Sequence, residues 1–343
     1  MQGQNSFRLP DGSRLVSQQG HEYQLRVDMP GDADGFFGRQ CPSCCQLFRV
    51  NADDYEALPE DIRLWCVYCG HEEEHSEFIT DQQVDRATRV AYDLGVQLVA
   101  QGLDDTFSRL ARKSRGGGSS IRVSYRSKPF YPEPLPGIDE ERLIRVRQCV
   151  SCALRYAVFG EHRYCPVCGL LSADVVAADV LQAEAARLDA LAQLPVGVVA
   201  TLREQGVFTR LWVDTLENLV GLVEALAGAT YRAAVPNAEQ NLRGKGNIFQ
   251  RLDDTAALFA DAGYRDLRTS VAPAVWQRLI EVWTARHLFT HNDGIVDQRY
   301  LDKNPGAPVE LGQRLTITDQ LCRQALCDVE VLCHAITGLT QTP

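Results

Sequence analysis

The sequence predicts a multidomain α+β chain: two small β-rich modules, each organised by four cysteines, followed by an all-α helical bundle. Three observations predict it. Eight cysteines fall into four C-x2-C pairs, taken two by two, before residue 172. Aromatic and β-branched residues flank those pairs, as they do in short strands. From Ala173 onward apolar residues recur at three- and four-residue steps almost to the end, the period of helices packed on one face. At 343 residues the chain also exceeds the ~250–300 residues at which one core usually stops growing, so several domains are expected.

Composition narrows the class further. Hydrophobic residues make up 45% and charged residues 23%, the balance of a folded globular chain rather than a disordered one. The opening MQGQNSFRLPDGSRL lacks the apolar stretch of a signal peptide. No run approaches the roughly eighteen apolar residues of a membrane span, so the sequence reads as cytoplasmic, with no membrane partner. A net charge of −10 argues against coating nucleic acid by bulk electrostatics.

In chain order, residues 1–80 read as N-terminal strands, including EYQLRVDMP, with the first four-cysteine module. Residues 81–115 read as a connecting helix, because Val84, Ala87, Val90, Ala91, Leu94 and Leu98 recur at helical steps. Residues 116–140 form a basic Gly/Ser and then Pro-rich linker, 141–172 the second module, and 173–343 the bundle. From Phe107 to Lys128 there are seven Lys or Arg and no acid. Such a segment is a solvated linker or a local nucleic-acid contact, the latter helped by Tyr125.

Twelve cysteines without an export signal need an explanation other than disulfides. Cys41, Cys44, Cys66 and Cys69 make one set; Cys149, Cys152, Cys165 and Cys168 make the other. Two tight turns presenting two sulfurs each supply four thiolates at tetrahedral corners, the ligand set of structural zinc. The sets look like copies: CPSCCQLFRV aligns with CVSCALRYAV, and Gly70 and Gly169 follow the second pairs. The expectation is two zinc ribbons with one structural Zn2+ each, closed to catalysis because four cysteines leave no open position. Redox cysteines are the other reading. Cys45 packs or lies exposed, while His71 and His75 in GHEEEHSE read as hydrated surface rather than ligands. His162 also stands near these cysteines.

Five helices are expected in the bundle. The first runs through DVVAADVLQAEAARLDALAQL and ends before Pro195. The second is TRLWVDTLENLVGLVEALAGATYRA, with Thr209 as N-cap. The third, NIFQRLDDTAALFADAG, closes at Gly263. The fourth, APAVWQRLIEVWTARHLFTH, has Pro273 in its first turn. The last, TDQLCRQALCDVEVLCHAIT, is capped at Thr318 and Asp319, and places Cys322, Cys327 and Cys333 in the core.

On the fourth helix Trp276, Ile280, Trp283, His287 and His291 form one stripe, with Arg286 beside it and Asn292-Asp293-Gly294 offering a left-handed exit. Three chemistries fit. The histidines can be core residues beside a snorkelling arginine. They can chelate a metal at i,i+4, although no third ligand or intervening Glu stands there. Or Arg can grip a phosphate while a histidine passes a proton.

RHLFTHNDGIVDQRY, within a helical region spanning roughly residues 175–343, resembles the HEPN superfamily of prokaryotic ribonucleases. That family's signature is an arginine, a polar residue and, after a short spacer, a histidine, here Arg286, His287 and His291. The preceding KGNIFQRLDD and the Gly and Tyr that follow are similar too. The resemblance implies an endoribonuclease of toxin or defence type that needs no catalytic metal. It implies a homodimer whose motif helices meet at a shared cleft, with RNA as substrate and an antitoxin or sensor as a further partner. It makes His291 the general acid or base, Arg286 the stabiliser of the charged transition state, and His287 an orienting or proton-sharing group. Tyr300 and Asn292 become candidate substrate contacts, with Tyr300 packing beneath the loop as its other reading. Two different functions compete: a non-catalytic HEPN and zinc-ribbon protein binding nucleic acid or partners, and a zinc-ribbon scaffold on DNA.

Overall fold

The computed structural model describes residues 7–116, 126, 128–138 and 145–340. The basic Gly/Ser residues 117–125 and 127, read above as linker or nucleic-acid contact, lie outside the described residues, as do 139–144. The architecture is mixed, with small antiparallel sheets around the cysteines and a helical carboxyl-terminal region. It divides into two compact units: Met1–Phe159 with Tyr164–Gly169, and Gly160–Arg163 with Leu170–Pro343.

The first unit opens with a hairpin of β1 (Ser13–Gln19) and β2 (Glu22–Val27). Then come β3 (Phe36–Gln40), β4 (Leu47–Asn51), the short helix α1 (Ala52–Glu56), β5 (Arg63–Trp65) and β6 (Glu72–Glu74). Helix α2 (Asp81–Gly116) follows, then β7 (Arg145–Gln148), β8 (Arg155–Val158) and β9 (Tyr164–Cys165). The two cysteine sets, expected in separate modules, contribute to one antiparallel sheet of order β3-β4-β8-β7. The physical reason lies in the central strands. Phe48, Val50, Tyr156, Ala157 and Val158 are all buried, more than one hairpin can cover alone. The guanidinium of Arg155 also spans the halves, donating to Asp54 at 2.8 and 2.9 Å and to Asn51 at 2.8 Å. Helix α2 is tied down by side-chain amides: Gln83 donates to the Gly38 carbonyl at 2.8 Å, and Gln97 exchanges bonds with the Arg8 backbone. The Pro-rich residues 128–138 are without helix or strand, as four prolines dictate.

The second unit contains α3 (Ala173–Ala192), α4 (Val196–Glu204), α5 (Val207–Ala234), α6 (Ala238–Leu242), α7 (Leu252–Asp261) and α8 (Leu267–Ser270). It ends with α9 (Pro273–Asn292), α10 (Gln298–Lys303) and α11 (Asp319–Gly338). The core sits between α3, α5, α9 and α11, around Leu216, Leu219, Leu279 and Leu332. All five expected helices are present, with three corrections. Thr209 is no cap: α5 starts at Val207, because left-handed Gly206 (φ +71°) both stops α4 and launches α5. The third helix begins only at Leu252; Ile248–Gln250 is a 3-10 turn broken at extended Arg251. Cys322 and Cys333 are buried, but Cys327 is exposed.

Candidate functional site

Each cysteine set gathers into a cluster whose four sulfurs lie within 4.8 Å of one another, so each can hold a metal ion. Cys41 and Cys69 stand 3.7 Å apart, Cys44 and Cys66 3.6 Å, Cys149 and Cys168 3.8 Å, and Cys152 and Cys165 3.7 Å. All twelve cysteines are free thiols rather than disulfides. Burial pushes the Cys66 and Cys165 thiols up, so a cation is what would let all four sulfurs ionise together.

The copies seen in the sequence are copies in space. Cys45 and Ala153, each just after a first pair, share the left-handed backbone (φ +59° and +60°). In the central strands Arg49 pairs with Ala157, its own counterpart, and Val50 pairs with Tyr156. The second pairs interlock: Trp65 N–H donates to the Pro166 carbonyl at 2.8 Å, and Tyr164 N–H to the Val67 carbonyl at 3.1 Å. The Trp65 and Tyr164 rings stack at 6.1 Å and 4°. A Cβ on Gly70 would come within 2.4 Å of Tyr164, and one on Gly169 within 3.1 Å of Trp65. These contacts have the reciprocity of a twofold axis. The neighbouring histidines serve elsewhere: His75 meets the Tyr55 hydroxyl at 2.5 Å, and buried His162 pairs with Asp179 at 3.1 Å.

Arg286, His287 and His291 occupy the last turns of α9. The helix ends where Asp293 and Gly294 turn left-handed (φ +48° and +77°). Only glycine fits there, since a Cβ at 294 would lie 2.6 Å from the Phe289 ring. The histidine rings stand 4.7 Å apart. With α10 and the loop before α7 they enclose a cleft of about 480 Å3, walled also by Asn247, Arg251, Arg299 and Lys303.

Charge in this cleft is unevenly satisfied. Lys303 pairs with Asp253 at 3.4 Å and Arg251 with Asp254. Among the described residues Arg286 and Arg299 have no carboxylate partner, and the buried Arg286 Nε has no acceptor. Burial first, and then the charge of Arg299, hold His287 below the ordinary imidazole range, against the opposing pull of Asp297. His287 is therefore the neutral imidazole near pH 7. Among the described residues no third ligand joins the two histidines to form a metal site.

Tyr300 is buried in the cleft wall, its phenol pushed up to about 12 by burial and then by the Glu281 carboxylate. Asn292 does not line the cleft; its amide donates to the Ile295 carbonyl at 2.7 Å and holds the exit turn. Trp276 and Trp283 are buried in the chain's own core, so the apolar stripe needs no second chain to cover it. Sequence reasoning passed over Arg299, although it adjoins the singled-out Tyr300; nothing in the linear pattern shows which cations lack acids. No protein-family model matches the chain, and no curated protein or solved structure is significantly similar to it. Among the described residues no single helix is long and apolar enough to cross a membrane.

Proposed function

We propose that the chain is an endoribonuclease of HEPN type, working through Arg286, His287 and His291, with both cysteine clusters holding structural zinc. One observation carries the first part: two arginines without acidic partners among the described residues and two histidines in contact line one cleft. Unpaired guanidinium groups there are charge stabilisers lacking only an anion. For the second, zinc–sulfur bonds of about 2.3 Å place tetrahedral corners about 3.8 Å apart, which the sulfur separations of 3.6–3.8 Å match.

In the reaction a neutral imidazole takes the proton of an RNA 2′-hydroxyl, and the oxygen attacks the adjacent phosphorus. The bond to the 5′-oxygen breaks, that oxygen takes a proton from the other histidine, which enters the step as imidazolium and leaves it neutral, and a 2′,3′-cyclic phosphate remains. His287, held neutral, suits the base; His291 serves as the acid. Arg286 and Arg299 neutralise the charge gathering on the phosphorane. The nucleophile belongs to the substrate itself, an advantage of proximity that DNA lacks. A homodimer bringing two such clefts together follows from the family resemblance. The test is incubation of the purified chain with single-stranded RNA in EDTA, after checking that the clusters keep their metal. Cleavage to a cyclic phosphate, lost in the His291→Ala variant, supports the reading. Equal cutting of a DNA strand of the same sequence, or no cutting with intact fold, refutes it and leaves a binding role for the cleft.

A further inference from the structure

The arginines and histidines occupy only part of the cleft between α9, α10 and the turn before α7. Elsewhere its wall carries polar groups that the reaction does not use. Gln250 lines the cleft from the 3-10 turn ahead of α7. Its amide nitrogen donates to Glu224 Oε2 at 2.9 Å. Glu224 stands on α5 one turn beyond Val220; Val220 lines the cleft and Glu224 does not. A carboxylate accepts and does not donate, so this bond fixes which way the amide is turned. The nitrogen faces Glu224, and the carbonyl oxygen is left toward the cleft with no donor among the described residues. Trp283, buried in the same wall, has an indole N–H that finds no acceptor among the described residues. Polar groups in a concave site that the chain itself leaves incomplete are what orient and select a small ligand.

The ligand's chemistry follows from what the cleft leaves open. Arg286 and Arg299, without acids among the described residues, call for a phosphate. A volume of about 480 Å3 leaves room beside it for a nucleoside. We propose that Gln250 reads the base of that nucleotide and selects one with an exocyclic amino group, adenine or cytosine. This rests on the reading of the cleft as the ribonuclease site. At the exocyclic position adenine and cytosine carry an amine that donates, whereas guanine and uracil carry an oxygen that accepts. A carbonyl oxygen held toward the base bonds the amine. It meets the keto oxygen as acceptor against acceptor, and both lose their water without gaining a partner. The arginine grip on the phosphate sets the direction in which the nucleotide lies, so the exocyclic edge is the one presented to Gln250. Glu224 touches no base in this arrangement; it is a positioning residue that decides which end of the amide the base meets.

Calorimetric titration of the full chain with the 3′-monophosphates of adenosine, cytidine, guanosine and uridine tests it. The first two are expected to bind about tenfold tighter than the last two, the worth of one discriminating contact to a base edge. Gln250→Leu should bring the four affinities together, whereas Arg286→Ala should weaken all four alike. Glu224→Lys is the reversing variant. Its ammonium donates to the amide oxygen, turns the amide nitrogen toward the cleft, and should make the guanosine and uridine phosphates the tighter pair. Circular dichroism checks that each variant keeps its helices. Equal affinities in the wild type, a wild-type preference for the keto bases, or no binding of any of the four would overturn the proposal. So would an adenine and cytosine preference that survives Gln250→Leu or stands undiminished in Glu224→Lys. Binding of a monophosphate needs no cleavage, so the two readings fail separately. Unselective binding by a chain that cuts RNA sinks the base subsite alone; selective binding by a chain that cuts nothing sinks the ribonuclease alone.

Discussion

Arg278 and Arg286 lie two turns apart on one helix and differ in what answers their charge. Arg278 is held by both oxygens of Asp328 at 2.7 Å, a fixed structural pair. Arg286 faces the cleft with a buried Nε and no acid among the described residues. Replacing each with alanine should separate the roles. Arg286→Ala, like His291→Ala, is expected to lower cleavage by about 10²–10⁴-fold with the fold intact, the usual worth of a positioned acid–base group. Arg278→Ala should instead lower the melting temperature, because it strands buried Asp328. Arg299 gives a subtler test. Its positive charge is part of what depresses His287, so Arg299→Gln should raise the His287 pKa, as followed by the imidazole resonances on titration. Protonating His287 removes the base, so the acid limb of the pH–rate profile should move to higher pH in that variant. An unmoved limb would take His287 out of the reaction. The Arg and His residues were legible in the sequence because one helix presents them at fixed spacing. Arg299 was not, because the chain must leave α9, turn at Gly294 and begin α10 before it faces His287.

At the scale of elements, the readable signals were those whose physics is local. Pro273 at the start of α9, the Thr318 side chain accepting from Leu321 N–H at 3.2 Å and left-handed Gly263 all stand where the sequence put them. Thr209 misled because capping chemistry is common at surfaces, and the glycine immediately before the real start had already turned the chain. Cys327 misled in another way: it falls at helical spacing among apolar neighbours, yet lies on the open side of α11. The knuckle glycines permit a controlled prediction. Gly70 and Gly20 both have positive φ, but only Gly70 has a ring against it. Gly70→Ala and Gly20→Ala share the backbone strain, so the extra loss of stability in Gly70→Ala isolates the Tyr164 contact. Overpacking typically costs about 1–3 kcal/mol. Equal denaturation midpoints for the two variants would show that the interlocked pairs yield freely.

For the whole molecule, the spacing of eight cysteines foretold two four-cysteine clusters, but nothing linear announced that they would share a sheet. That pairing joins residues about a hundred positions apart, and periodicity cannot see such distances. It changes what losing one centre should do. Cys41→Ser removes a ligand from the first cluster, and β4, which carries that half, is hydrogen-bonded to β8 of the other. Elemental analysis should therefore find the variant's metal content falling from two per chain towards none. Retention of one full equivalent would mean that the halves fold separately. The reciprocity around Arg49 and Ala157 has a further consequence. Each half offers its like a surface that the other half already fits, which is how an exchangeable dimer is built. What keeps the partners within one chain is the tether from β6 to β7, which follows the last cysteine of the first cluster and precedes the first of the second. Closing a tether costs entropy only as the logarithm of its length, about 0.6 kcal/mol for each doubling. A lengthened tether should thus be tolerated almost indefinitely. A tether too short to span the sheet should drive the halves of neighbouring chains to trade places, giving swapped pairs with every cluster still complete.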